Sequence, residues 1–519
     1  MKSGDSTLST HQLHMKAALN DCKEQVEHLR ELLQLSNSTA DEFAAPSIEH
    51  LLRKTNGYYN HQLFHSAWVS SNSLQQEREL GLRRLNEKLA NSVGANNDDD
   101  DDIDMMCPID VLHVNEEGWY KEEEDNTGRS IMSTPSKFKQ EYCFRNVPCI
   151  IRGFNELNFK NVSQSWKRSD NNITSINYSW FERHVGEDTI VPVRIDGKKH
   201  ELDEDGRAEE CATKMMSLKD WIMCSQEDNS NEEEYLKDWH LLQLLRSRQP
   251  VGDTATSHLL YKTPQYFERD VLNNFLERYS NGGDYKFVYW GPSGSQTRLH
   301  SDVLHSYSWS HNVVGAKKWT FHIPDCSSDN NDKDTYESSK TFEVIQRTGE
   351  TIFVPSKWKH EVTNLVETIS INHNWITSAN IDSTWQCIYS EIKAIEGEIH
   401  EWGIVPSDDF EARENMLRGC IGLDVTMFIL MLLLEVSELL AMVFASIDDK
   451  TRDDDAMYDC LQSVYNLIKI LDDVSACQEA NAAQRLQAVI GSKTEAIQAQ
   501  ECVTFVTRLT DILKEPLPP

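Results

Sequence analysis

Between Phe287 and Trp375 the chain is written as short apolar runs separated by turn residues: FVYW, a Gly-Pro-Ser-Gly turn, TRLHSDV, SYSWSHNVVGAKKWTFHIP, TIFVPSKWKHEVTNL and ETISINHNWI. β-branched and aromatic residues fill the runs, and Gly, Pro and Asn punctuate them at sandwich or barrel spacing. Strands this short and this close together must pack as facing sheets or close on themselves.

Inside it, His300 and Asp302 are spaced i, i+2, which on a strand puts both side chains on one face. His360 ends a second strand, after a PSKW turn. Two histidines and one carboxylate make a facial set with open positions, which suits non-haem Fe(II). Those positions can take a bidentate 2-oxoacid and O₂. H-x-D alone arises often by chance, and a surface His–Asp pair is its bland reading. The surroundings add to it. Thr297 lies just upstream, after the Gly turn, and Lys317 stands at the entrance of another strand in VVGAKKW. An ammonium pointing inward can pair with the distal carboxylate of 2-oxoglutarate, and a Thr hydroxyl can share it. Asn374, in the final strand, offers an amide to orient a ligand or water. His305, His311, His322 and His373 read as structural, Lys318 and Glu361 as surface charges, and Trp309, Trp319, Trp358 and Trp375 as core or pocket wall.

At 519 residues the prior is two to four domains, or one large core with appendages. Residues 1–105 read as a helical extension. Leu19, Cys22, Val26, Leu29 and Leu33 form one seam, and a second helical stretch runs over Leu74–Val93. A coiled coil and a helix packed on its own chain fit these seams equally. The run Asp98–Asp102 repels itself and marks a linker. Residues 106–382 hold the strand-rich domain with bracing elements. These are strands over Val147–Phe154 and Thr189–Ile195, and helices over Ser217–Cys224, Glu234–Arg246 and Val271–Arg278. Asp325–Lys340 reads as a surface loop. Residues 383–519 form a helical domain, with helices over Trp385–Trp402, Leu417–Ile447, Met457–Leu471 and Ala480–Leu513. The apolar segment Val425–Leu434 is too short to span a bilayer and reads as a buried helix.

Lys and Arg number 51 against 84 Asp and Glu, a net charge of -33. That excludes a broad nucleic-acid footprint and suits a basic protein partner. The 12 Cys are scattered without a C-x-x-C pair, so neither a zinc site nor a disulfide framework is expected. The opening MKSGDSTLSTHQLH has no apolar core of a signal peptide. A cytoplasmic or nuclear protein is expected.

At the motifs YLKDWHL, FVYWGPSGS, HSDVLHSYSWSHNVVGAKKW, GETIFVPSKWKHEVTNL and TISINHNW the sequence resembles the Jumonji C (JmjC) family of Fe(II)- and 2-oxoglutarate-dependent oxygenases. It resembles in particular the branch that hydroxylates a lysine of the translation release factor. The resemblance runs from about Phe138 through the helical C-terminal part and does not cover residues 1–105. It implies a double-stranded β-helix, a jelly-roll fold that is mainly β with helices (α+β), with helical flanks. It implies His300, Asp302 and His360 as catalytic metal ligands, and Lys317 and Thr297 as the residues that bind 2-oxoglutarate. Asn374 matches a site Asn of related hydroxylases. Many members carry an Asn where Ser310 aligns, and here the neighbouring Asn is Asn312.

The implied reaction consumes 2-oxoglutarate and O₂ and hydroxylates a lysine in an Asn-Ile-Lys-Ser segment in the cytoplasm. The partner is a protein, with neither nucleic acid nor membrane expected. A homodimer through the C-terminal helices is expected by analogy with related oxygenases. Three rival readings stand beside this one. The first is a JmjC N-methyl-lysine demethylase, which no accompanying zinc finger or Cys/His cluster supports. The second is a catalytically silent JmjC scaffold, which has no need of Lys317. The third is a cupin-type metal enzyme without 2-oxoglutarate, which Lys317→Ala would leave active.

Overall fold

The computed structural model describes residues 8–32, 74–92, 107–115, 120–124, 130–133, 135–170, 173–195, 212–226, 234–248, 260–280, 283–324, 340–401, 410–446 and 454–514. The acidic run Asp98–Asp102 and all but the last residue of Asp325–Lys340 lie outside them.

Two sheets face each other. Their strands, in chain order, are β1 (Asp110–His113), β2 (Cys149–Arg152), β3 (Ile190–Ile195), β4 (Ala212–Ser217), β5 (Glu234–Trp239), β6 (Lys286–Gly291), β7 (Gln296–His300), β8 (Tyr307–Val314), β9 (Lys317–His322), β10 (Thr341–Gln346), β11 (Thr351–Val354), β12 (Lys359–Asn364) and β13 (Thr368–Trp375). The large sheet has the order β1-β2-β11-β8-β13-β6-β5-β3-β4, and the small one β7-β12-β9-β10. All neighbours are antiparallel except β1 and β2. This is a double-stranded β-helix.

Alternation along the strands decides what each face carries. In β9, Lys317, Trp319 and Phe321 are buried, while Lys318, Thr320 and His322 are partly exposed. In β11, Phe353 packs into the aromatic core outside the large sheet, with Phe138, Phe159 and Trp309. Ile352 and Val354 point the other way, to Trp319, Phe321 and Trp358 between the sheets. One end of the barrel interior is therefore apolar, and the polar inward residues gather at the other.

Glu234–Arg246 departs from its expected helix. Glu234–Trp239 is strand β5, and the helix begins only at Leu241. Tyr235, Leu236 and Trp239 mimic a helical stripe because the strand is bulged. Asp238 sits at φ +56°, and the register slips between Val288 and Trp290. The slip keeps Leu236 and Trp239 on the outer core while Tyr235 turns to the interior.

Around the sheets lie helices α1 (Thr10–Leu32), α2 (Leu74–Ser92), α3 (Val271–Tyr279), α4 (Ile381–Glu401), α5 (Phe410–Ile421), α6 (Val425–Ser446), α7 (Asp454–Ala476), α8 (Ala482–Ile490) and α9 (Lys493–Lys514). The expected single helix over Leu417–Ile447 is two. Gly422, at φ +76°, ends α5, and a Cβ there would collide with the Tyr285 hydroxyl. Asp424 then starts α6, its Oδ1 accepting from Met427 N at 2.8 Å. Gly491, at φ +72°, likewise splits Ala480–Leu513.

Helix α6 outruns the ten apolar residues seen in the sequence. Over Val425–Ala445 it is long and apolar enough to cross a membrane, but 83% of an 18-residue apolar window within it is buried inside the protein. Much of its cover is α1. Met15, Ala18, Leu19, Cys22, Val26 and Leu29 of α1 are buried in the same core as α6, α7 and α9. The N-terminal seam thus packs on its own chain. Helix α2 docks elsewhere. Arg78 grips Asp382 with two hydrogen bonds, at 2.6 and 2.7 Å, and donates to Ala379 O at 3.0 Å.

Candidate active site

His300 closes β7 and His360 lies on β12, directly opposite across the ladder, with ring centroids 4.4 Å apart. Asp302 follows just beyond the strand end. One donor atom from each of the three lies within 4.8 Å of the others. The far side of each imidazole is already committed. His300 Nδ1 is 2.8 Å from Arg298 O, and His360 Nδ1 is 3.1 Å from Trp358 O. A carbonyl can only accept, so Nδ1 carries the proton and the Nε2 lone pair is free for a metal. Burial pushes the His360 imidazole below its ordinary range, which keeps it neutral.

Asp302 is aimed by two donors. Ser308 Oγ donates to Oδ2 at 2.7 Å, and Asn374 Nδ2 donates to Oδ1 at 3.0 Å. Asn374 is itself 3.1 Å from Ser306 Oγ. Each carboxylate oxygen keeps a lone pair. Two imidazoles with fixed tautomers and one oriented carboxylate, open on one side, can hold Fe(II).

The open side meets a cavity of about 60 Å³ lined by Thr297, Tyr235, Tyr289, Lys317, Ser310 and Asn372, among others. Lys317 is 2% exposed, and its Nζ donates to Ser370 Oγ at 2.6 Å. Burial first, and the nearby Lys237 second, bring its ammonium down to about 7. No carboxylate pairs with Lys317 among the described residues, so an anionic ligand has a cation waiting for it. Lys237 stands behind the same wall, its Nζ donating to Gln296 O at 2.8 Å beside Thr297.

The register of β8 and β13 explains the rest. Ser308 opposes Asn374, Ser310 opposes Asn372 and Asn312 opposes Ser370. Opposed residues share a face, so these six make a polar ladder along the interior. Ser310 reaches the cavity. Asn312 does not line it, and its amide donates to Gln346 O at 3.1 Å. The amide in that part of the cavity comes from Asn372, which the sequence reading overlooked along with Tyr235, Tyr289 and Ser308. Asn372 was findable, since it alternates with Asn374. His373 points to the other side, its ring 4.1 Å from Trp309 and its Nε2 2.5 Å from the Tyr261 hydroxyl. His311 stacks on Phe159 at 3.8 Å. Both are structural, and Lys318 pairs on the surface with Glu343 at 2.9 Å.

The family description "JmjC domain, hydroxylase" matches residues 328–375. A zebrafish (Danio rerio) protein named 2-oxoglutarate and iron-dependent oxygenase JMJD4 is 33% identical over 321 residues, 56% of this chain and 70% of the relative. Its Drosophila melanogaster homolog is 31% identical over 334 residues, 56% of this chain and 73% of the relative. An Arabidopsis thaliana protein named arginine-specific demethylase JMJ20 is 30% identical over 312 residues, 53% of this chain and 62% of the relative. Iron, 2-oxoglutarate and O₂ are the reagents this likeness assigns, and the donor set beside a buried lysine fits them. The chain belongs to the JMJD4 family of 2-oxoglutarate- and iron-dependent JmjC oxygenases.

Proposed function

We propose that this oxygenase is a protein lysyl hydroxylase acting on the translation release factor, at the lysine of its Asn-Ile-Lys-Ser segment, in the cytoplasm, where the modification promotes termination. His300, Asp302 and His360 hold Fe(II), Lys317 and Thr297 receive the far carboxylate of 2-oxoglutarate, and Asn374 keeps Asp302 aimed. Bound iron supplies the oxidative chemistry: 2-oxoglutarate and O₂ give succinate and CO₂, one oxygen atom entering succinate and the other a substrate C–H bond. The protein binds, orients and excludes water. The observation that carries the reading is the buried Lys317 on the wall of the same small cavity as the His–Asp–His set. The release-factor substrate rests on the motif resemblance and on relatives that share the JMJD4 name.

A second reading has its own support. Two Arabidopsis relatives are named arginine-specific demethylases, and N-demethylation uses the same C–H oxidation. Mass spectrometry separates the two. Recombinant release factor, incubated with the protein, Fe(II), 2-oxoglutarate and ascorbate, is expected to gain the mass of one oxygen atom on that lysine, and His300→Ala abolishes the gain. Succinate without the gain discards this substrate and keeps the oxygenase. Loss of a methyl group from methyl-arginine or methyl-lysine peptides carries the second reading.

A further inference from the structure

A larger cleft opens beside the metal cavity, on the same face of the large sheet. The register of β6 and β13 sets Tyr289 against Ser370 and Phe287 against Asn372. The backbone bond from Asn374 N to Tyr285 O, at 3.0 Å, carries the pairing one step further. Tyr285, Phe287 and Tyr289 therefore form a row alongside Asn374, Asn372 and Ser370. Phe287 and Tyr289 have centroids 6.1 Å apart at 23°, and Tyr285 and Phe287 have centroids 6.2 Å apart at 88°. Tyr289 lines the metal cavity, whereas Tyr285 and Phe287 line the cleft, about 540 Å³ in volume. That volume is in the range of ligand clefts, and the aromatic row joins it to the metal site.

The opposite wall is the N-terminal helix. His11 and His14 of α1 line it, with Arg418 and Gly422 from the helical domain. Helix α1 belongs to the stretch outside the family resemblance, and it is firmly seated. Besides its buried seam, His11 Nε2 lies 2.9 Å from Asp424 Oδ2, and Asp21 accepts a hydrogen bond from the Tyr279 hydroxyl. The charge around the cleft has a sign. Asp284, 4% exposed, lines the cleft, and so does Arg418, whose charge is met at 2.5 Å by Asp424, a fully buried residue outside the lining. His240 pairs with Asp284 at 2.9 Å. With Arg418 offset by Asp424, the Asp284 carboxylate and the rings of Tyr279, Tyr285 and Phe287 on the lining favour a cation.

We propose that this cleft, with α1 as its outer wall, receives the basic peptide segment that flanks the lysine presented to the metal. The assignment rests on the lysyl-hydroxylase reading above. The segment runs along the aromatic row from Tyr285 towards Tyr289, and its basic side chains lie over the rings and near Asp284. The N-terminal helix is thereby a substrate-selecting part of the enzyme.

The test uses the full chain with Fe(II), 2-oxoglutarate, ascorbate and a peptide pool in which a central lysine has randomised neighbours. Mass spectrometry reads which peptides gain oxygen. Peptides with Lys or Arg beside the central lysine are expected to be favoured over those with Asp or Glu by about tenfold. His14→Lys, a half-exposed change on α1, cuts that preference to about twofold or less. Phe287→Ala raises the KM of the basic peptides by about tenfold, with the KM for 2-oxoglutarate as the check that the fold is intact. Hydroxylation with an unchanged preference and unchanged peptide KM in His14→Lys overturns the cleft and leaves the hydroxylase reading standing. Succinate with no oxygen gained by any peptide removes lysyl hydroxylation, and the cleft assignment falls with it.

Discussion

Asn374 lines the cavity beside the His–Asp–His set, and the carboxylate there depends on it. Its amide and the Ser308 hydroxyl each hold one oxygen of Asp302. Asn374→Ala leaves Oδ1 without its donor and frees the carboxylate to rotate. Partners of this kind are worth roughly tenfold to a hundredfold in metal affinity, so Fe(II) or Mn(II) titration by calorimetry should show a loss in that range. An unchanged affinity would mean that Ser308 alone fixes Asp302. Lys317 supplies a pH dependence. Its ammonium is brought down to about 7 in the free protein, and a bound dicarboxylate must raise it again. Binding therefore takes up a proton above about pH 7, and 2-oxoglutarate affinity falls with rising pH, by up to about tenfold per unit. Stability moves the other way. Between about 7 and the ordinary lysine value of 10.5 the unfolded chain holds more proton at this residue than the folded one, so this group's contribution to stability rises with pH across that window. KM for 2-oxoglutarate measured against pH, and denaturant midpoints over the same range, should carry these opposite slopes. Lys317→Met should flatten both.

The elements that carry the site differ in how much of themselves they disclose. Lys317 inward, Lys318 outward and Asn374 beside Asp302 are legible, because a strand alternates with period two, whereas the strand expected to carry both His300 and Asp302 ends at His300 and the loop after it presents Asp302. Tyr235 was hidden by the bulge at Asp238, which gives Glu234–Trp239 the spacing of a helix stripe. Pairing across strands is also silent in one dimension, which is why Ser308 facing Asn374, and Asn372 facing Ser310, emerge only in the sheet. The seam of α1 announced an apolar partner without saying which. That partner is α6, so α1 cannot be removed without uncovering the most apolar helix among the described residues. Deleting Thr10–Leu32 is expected to give aggregation-prone protein that binds a hydrophobic dye. A single change tests α2. Arg78→Ala leaves the Asp382 carboxylate, 27% exposed at its side chain, without its bidentate partner. Removing one partner of a fully buried pair costs about 3–5 kcal/mol, and the residual exposure brings this one to about 2 kcal/mol, readable as a shift of the urea midpoint. A shift below about 0.5 kcal/mol would reduce the pair to an ordinary surface contact.

At the scale of the molecule, the metal site and the helical bundle are mechanically one. The loop after Asp302 runs through Leu304 and His305 at φ +56° and +49°, conformations uncommon for such residues, so something must hold it. The helical domain does. Leu304 is buried in the same apolar core as α1, α4 and α6. His305 Nδ1 lies 3.2 Å from Ser383 O on α4, while the barrel adds a second hold through the β11–β12 turn, where Ser356 Oγ donates to His305 O at 2.5 Å. Helix α4 is in turn gripped at Asp382 by Arg78 of α2. A backbone held this way cannot aim Asp302 once the bundle melts, and the bundle cannot melt without releasing Leu304. Metal binding should therefore stabilise the bundle as well as the barrel. Mn(II) at a hundredfold excess over its dissociation constant should add about 2.7 kcal/mol to the whole chain. Helix loss followed by far-ultraviolet dichroism, which weights the bundle, and tryptophan fluorescence, which weights the barrel core, should move up together as one transition. Two separate transitions, with only the fluorescence step responding to Mn(II), would show that the bundle is an independent appendage and that the strained loop is held by the barrel alone.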